Sequence, residues 1–192
     1  KPMVGTEAKI ADDGEILIRG RHIMKGYYNN PEATAEVMDG DWFKTGDVGK
    51  IDKDGYLYIT GRKKELYISS GGKNIAPLVI EETMKGIPIL SQVMLIGDGR
   101  KYCSALVTLD VGAILRDKLG LDGATEVPKD PGEQIAKLSE MGHDLSEYTD
   151  SAEIHAEVEA QVQRLNQKFA PPEQIKKFKI LPRDLNIDEG EL

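Results

Sequence analysis

Trp42-Phe-Lys-Thr-Gly-Asp-Val-Gly-Lys-Ile51 leads through the turn Asp52-Lys-Asp-Gly55 into Tyr56-Leu-Tyr-Ile-Thr60. The two flanks read as strands, and the Asp-Gly step between them is the strongest short-range hairpin signal in the first third of the chain. Upstream, Glu15-Ile-Leu-Ile-Arg19 follows the turn residues Asp12-Asp13-Gly14 and reads as a further strand. After Gly26-Tyr-Tyr-Asn-Asn-Pro31 a short helix is expected, with Thr34 to Met38 as its body. Downstream the composition shifts at Gly61-Arg-Lys-Lys64, which places a domain boundary there and divides the chain into residues 1–62 and 63–192.

Past that boundary Glu65 to Ser69 reads as a strand and Ser70-Gly-Gly-Lys73 as a turn. Pro77 suits the first turn of a helix ending at Lys85, before Gly86. Ser91–Ile96 and Tyr102–Leu109 flank Gly97-Asp-Gly-Arg100 and form a second expected hairpin. Short helices are expected over Val111–Leu119 and Glu133–Met141, then a long one from about Ser151 to Phe169. Asp150 and Glu153 have capping-box spacing for it, and Ile154, Val158, Val162, Leu165 and Phe169 give one apolar stripe. Pro171-Pro172 ends it, and Phe178 to Leu181 reads as a closing strand. The expected class of the second part is α+β, a small antiparallel sheet with packed helices, preceded by the β-strands of the first part.

The 192 residues suffice for one domain or two small ones, and a 40% hydrophobic, 30% charged balance is that of a globular protein. The net charge of −8 is local: residues 111–160 hold 12 acidic and 4 basic side chains, and the rest hold 21 of each. Such a run reads as a solvated helical face and argues against a nucleic-acid partner. No apolar run approaches the roughly 18 residues of a membrane span, and no signal peptide opens the chain, so an intracellular, cytoplasmic location is expected, with peripheral membrane contact left open. The lone Cys103 excludes an internal disulfide and reads as a small buried thiol.

Familiar catalytic signatures are missing from these residues. His22, His143 and His155 have no metal-ligand spacing, so no metal site is expected. No Gly-x-Ser-x-Gly elbow occurs, and Gly71-Gly72-Lys73 lacks the full spacing of a phosphate loop. Alone, Thr45-Gly46-Asp47 is an Asp after a Gly in a turn.

The order of several such pieces carries more information than any one of them. Trp42-Phe-Lys-Thr-Gly-Asp-Val48, Asp54-Gly-Tyr-Leu-Tyr58, Gly61-Arg-Lys-Lys-Glu-Leu66 and Gly71-Gly-Lys-Asn-Ile-Ala-Pro77 follow one another at intervals that closely resemble the adenylate-forming superfamily, which comprises acyl- and aryl-CoA synthetases, peptide-synthetase adenylation domains and firefly luciferase. Gly14-Glu-Ile-Leu-Ile-Arg-Gly20 and Gly26-Tyr-Tyr-Asn-Asn-Pro-Glu-Ala-Thr34 match the segments preceding these motifs. Within the superfamily the doubled Gly71-Gly72 before Lys73-Asn74, the acidic insertion after Asp110, and Asn166, Pro172-Glu-Gln-Ile-Lys-Lys-Phe178 and Leu181-Pro182 resemble the long-chain fatty acyl-CoA synthetases.

That resemblance implies a two-step ligase. A fatty acid carboxylate attacks the α-phosphate of Mg2+-bound ATP to give acyl-AMP and pyrophosphate, and CoA then displaces AMP, the small C-terminal domain rotating between the steps. It also implies that residues 1–62 close the large adenylate-binding domain, which would hold most of the ATP and Mg2+ contacts, and that 63–192 form the mobile domain. Asp47 matches the acceptor of the ribose hydroxyls, Arg62 an arginine near ribose and phosphate, and Lys64 the hinge. Gly71 and Gly72 match the loop lining the pantetheine route, with Lys73 a weaker candidate for a CoA phosphate. Lys63 reads as surface charge. The family's adenylation lysine follows a segment like Asn186-Ile-Asp-Glu-Gly-Glu-Leu192, so no catalytic residue is assignable and the chain alone is expected to be inactive. Two alternatives stay open: another acid-CoA ligase of the superfamily, or a non-catalytic binding module derived from it.

Overall fold

The computed structural model describes residues 1–186 and 190. Its contacts divide into two units, Lys1–Tyr67 with Ala76–Val79, and Ile68–Ile75 with Ile80–Leu192.

The first unit is a five-stranded antiparallel sheet. Its strands are β1 (Thr6–Ile10), β2 (Glu15–Gly20), β3 (Met38–Asp39), β4 (Trp42–Ile51) and β5 (Leu57–Arg62). The order is β1-β2-β4-β3, and β5 also pairs with β4. The long β4 is thus the spine, and the expected hairpin is its pairing with β5. Ile16, Leu17 and Val48 are buried beneath it. On the sheet surface Trp42 lies under two cations, Lys9 Nζ at 4.3 Å and Arg19 Cζ at 4.6 Å from the ring centroid, which links β1, β2 and β4. Helix α1 covers Pro31–Val37, earlier than the expected Thr34–Met38, because Asn30 caps it by accepting from Ala33 N–H at 3.0 Å and Pro31 fits the first turn. Strand β1 is not legible in the sequence; its residues TEAKI carry too few apolar side chains to announce it.

Beyond the five-stranded sheet, β6 (Tyr67–Ile68) and β7 (Asn74–Ile75) pair as a short two-stranded ladder. The strand expected over Glu65–Ser69 shrinks to β6, because Lys63–Glu65 winds as a 3-10 turn. Helix α2 (Pro77–Met84) follows, then β8 (Leu90–Ile96) and β9 (Cys103–Leu109), the expected antiparallel hairpin. Where one helix was expected over Val111–Leu119, a single turn α3 (Val111–Ala113), capped by Asp110, continues into a π-helical turn over Ile114–Lys118. Then come α4 (Pro131–Glu140), α5 (Leu145–Thr149) and the long α6 (Ala152–Asn166). Ile154, Val158, Val162 and Leu165 form its buried stripe, whereas Phe169 lies past its end. The N-cap is Ser151, whose hydroxyl accepts from Ile154 N–H, and not Asp150, which ends α5.

The closing strand β10 (Ile175–Ile180) lies beside β9 in order β10-β9-β8. The α+β class holds, but this sheet is mixed: β8–β9 is antiparallel and β9–β10 parallel. The helical crossover between β9 and β10 is long enough to return the chain in the same direction. No helix among the described residues is long and apolar enough to cross a membrane.

Candidate functional site

A bulge positions Asp47. Leu17 of β2 pairs with Lys44 and Glu15 with Val48, so Thr45, Gly46 and Asp47 are accommodated opposite Ile16. Thr45 Oγ1 donates to Ile16 O at 2.8 Å and accepts from Asp47 N–H at 3.1 Å, while Gly46 takes φ +75°, which disfavours other residues. On the other side Asp47 is the register partner of Arg62 in β5. Arg62 Nε lies 3.0 Å from Asp47 Oδ1, with the guanidinium side chain 65% exposed and the carboxylate side chain 24%. The ion pair orients the carboxylate through Oδ1 and leaves Oδ2 for a further donor, while most of the Arg62 side chain stays exposed.

Arg62 is followed by the 3-10 turn that carries Lys63 and Lys64. Lys64 is exposed and forms no ion pair among the described residues. Lys63 is more than surface charge: its ammonium lies 2.6 Å from Asp13 Oδ2 and 2.8 Å from Glu15 Oε2. Both carboxylates push its pKa up, Asp13 most. Lys63 in turn is the main cause of the lowered Asp13 pKa, followed by the backbone bond from Glu15.

The glycine loop is built separately, in the second unit. Ser69 N–H donates to Lys73 O at 2.9 Å, Gly72 N–H to Ser69 O at 2.8 Å, and Lys73 N–H to Ser69 Oγ at 3.0 Å. Gly72 has φ +77°, so its turn explains the glycine. Gly71 does not have a positive φ, and an added Cβ would meet only Ser69 Oγ at 3.9 Å. Neither backbone nor packing within the chain therefore demands glycine at 71. Lys73 is exposed on the same loop.

The other chemical side chains have structural partners. His143 Nδ1 lies 3.0 Å from Glu147 Oε2, and His155 Nε2 lies 3.2 Å from Thr149 O with its ring stacked on Phe178. Cys103 is fully buried, and that burial, more than nearby Glu173, pushes its thiol pKa up. Among the described residues no group of three or more His, Cys, Asp or Glu could hold a metal. The segment preceding the expected adenylation lysine lies outside the described residues at 187–189, 191 and 192. Sequence reasoning missed the roles of Asp13, Glu15 and Lys63, because they are joined across about fifty residues and no spacing rule reaches that far.

No protein-family model matches the chain. Its fold is that of adenylate-forming enzymes. O-succinylbenzoate-CoA synthetase (MenE) of Bacillus subtilis, in complex with its acyl-adenylate intermediate, matches 100% of this chain and 33% of its own at a TM-score of 0.59 and 24% identity. The same enzyme in complex with ATP and magnesium ion matches over 97% of this chain and 32% of its own, with a TM-score of 0.56 and 25% identity. The chain belongs to the adenylate-forming superfamily. Within it, the chain is 38% identical over all 192 residues to the long-chain-fatty-acid–CoA ligase FadD15 of Mycobacterium tuberculosis, covering 29% of that protein. It is 40% identical over 182 residues to the human long-chain-fatty-acid–CoA ligase ACSBG1, 93% of this chain and 25% of the relative. The chain thus spans under a third of the curated relatives it matches, along their C-terminal part.

Proposed function

We propose that this chain is the C-terminal portion of an AMP-forming long-chain fatty acid–CoA ligase, with residues 1–62 closing the adenylate-binding domain and 63–192 forming the mobile one. The observation that carries the reading is the Asp47–Arg62 pair, which sets an oriented carboxylate acceptor beside an exposed guanidinium donor. Asp47 accepts from the ribose hydroxyls of ATP and Arg62 donates toward ribose and phosphate. In the first half-reaction a fatty acid carboxylate attacks the α-phosphate and pyrophosphate leaves. In the second, the CoA thiol attacks the acyl carbon and AMP leaves. Lys64 is the hinge between the two poses, supported by its exposure just past the last sheet pairing. Gly71 and Gly72 line the pantetheine route. The open space above Gly71 supports close approach of a narrow thiol arm, and Lys73, exposed on the same loop, is the candidate for a CoA phosphate. Magnesium accompanies the nucleotide, and none of these residues is assigned to it.

The test is ATP–pyrophosphate exchange by the complete ligase that carries this segment. Hydrogen bonds to a charged group are worth roughly 1.5–3 kcal/mol each, so Asp47→Ala should raise the KM for ATP at least about tenfold with the fold intact. Unchanged ATP kinetics together with lowered thermal stability would make Asp47 a turn residue and remove the reading.

A further inference from the structure

Glu15 is the one buried acidic side chain among the described residues of the first unit, its side chain 8% exposed, and both its oxygens are engaged. Oε1 accepts from Gly46 N–H at 2.9 Å, the residue directly before Asp47. Oε2 accepts from Lys63 Nζ at 2.8 Å, the residue directly after Arg62. A second carboxylate, Asp13, closes on the same ammonium at 2.6 Å, and Asp13 Oδ1 accepts from Glu15 N–H at 3.1 Å, which ties the two acids together. One carboxylate therefore touches the neighbours of both members of the Asp47–Arg62 pair, although the three segments lie far apart in sequence. Gly46 needs such an anchor. Its left-handed φ has no side chain to hold it, and Glu15 together with the Thr45 hydroxyl supplies the fixing contacts.

We propose that Glu15 and Lys63, with Asp13, form a clasp that positions the nucleotide-binding turn and keeps Lys63 on the nucleotide side of the hinge. These are positioning residues: Glu15 acts through Gly46, which precedes Asp47, and Lys63 through its place directly after Arg62. The clasp sets where Asp47 presents its carboxylate and holds Lys63, the first residue of the proposed mobile part, to the sheet, so free movement begins at Lys64 and not earlier. This inference rests on the nucleotide reading of Asp47 and Arg62.

The experiment uses the complete ligase in ATP–pyrophosphate exchange, with Lys63→Met, Lys63→Arg, Glu15→Gln and Asp47→Ala compared side by side. Lys63→Met leaves Glu15 with Gly46 alone, and the loosened turn should raise the KM for ATP about tenfold while kcat at saturating ATP changes little. Lys63→Arg can pair with both carboxylates and should return the KM to within about twofold of the parent. Glu15→Gln keeps an acceptor for Gly46 and the side-chain volume, so it should fold and shift the KM in the same direction as Lys63→Met. If Asp47→Ala raises the KM but Lys63→Met and Glu15→Gln alter only thermal stability, the clasp is purely structural and this inference falls alone. Failure of Lys63→Arg to recover the KM would overturn it as well. An unchanged KM in Asp47→Ala would remove the nucleotide reading and the clasp together.

Discussion

Gly71 and Gly72 are neighbours of one residue type held for different reasons. Gly72 has φ +77° in open space, so Gly72→Ala should lower stability by about 1 kcal/mol through backbone strain, read as a shift in the urea midpoint. Gly71 is unstrained and its Cβ direction is clear, so Gly71→Ala should leave that midpoint unchanged. A bulky residue at 71 in the complete ligase should nevertheless slow thioester formation from preformed acyl-adenylate and spare pyrophosphate exchange. Equal losses in both half-reactions would show that the loop acts only through folding. At Lys63 the prediction is one of pH. Asp13 has a lowered pKa, so its contribution is complete above the unfolded carboxylate value of about 3.9 and is lost as pH falls through the folded value. Lys63 has a raised pKa, so its contribution is complete below about 10.4 and is lost as pH rises through the folded value. The stability gap between the parent and Lys63→Met should therefore be flat from about pH 5 to 9 and narrow in acid, checked by urea melts across that range.

Among the elements, α6 and β10 depend on one side chain between them. Asn166 is buried, its amide NH2 donating to Ile175 O at 2.8 Å and its Oδ1 accepting from Ile175 N–H at 3.0 Å. Both backbone groups of the first β10 residue are thereby satisfied where the strand enters the sheet. Asn166→Ala removes two bonds and orphans two buried groups, at a cost of about 2–4 kcal/mol by equilibrium unfolding. Asn166→Asp should recover only part of it, since a carboxylate accepts but cannot donate. At the other end of α6, Ser151→Ala should cost about 1 kcal/mol as a lost N-cap. The apolar stripe of α6 is legible because a 3.6-residue period is written in consecutive residues. The cap expected from sequence is off by one position, because Asp150 and Ser151 both suit the role and only the end of α5 decides between them. The parallel placement of β10 is likewise invisible: IKKFKI has strand character, but nothing in it names its partner.

For the whole molecule, these 192 residues carry ribose, hinge and pantetheine candidates but no assignable adenylation lysine. The purified chain given ATP and a fatty acid should therefore release pyrophosphate at background, and turnover above that level would show that it is catalytically self-sufficient. In the complete ligase, Lys64→Pro fixes φ near −65° and removes a backbone N–H at the proposed hinge. It should preserve pyrophosphate exchange and depress thioester formation. Loss of exchange alone would move the hinge to another residue.

Read alone, the sequence settled the superfamily, the β4–β5 and β8–β9 hairpins and the α6 stripe. Each of these is written in local periodicity, turn chemistry or ordered motifs. It also singled out Asp47 and Arg62, through motif order and without regard to distance. Their meeting across β4 and β5 at 3.0 Å, the bulge that presents Asp47, the clasp of Glu15 and Asp13 on Lys63, and the parallel return of β10 were decided by tertiary structure alone. All are pairings between residues remote in the chain. Strand register and buried charge are set by which surfaces close on one another, and no local pattern of residue types specifies that choice.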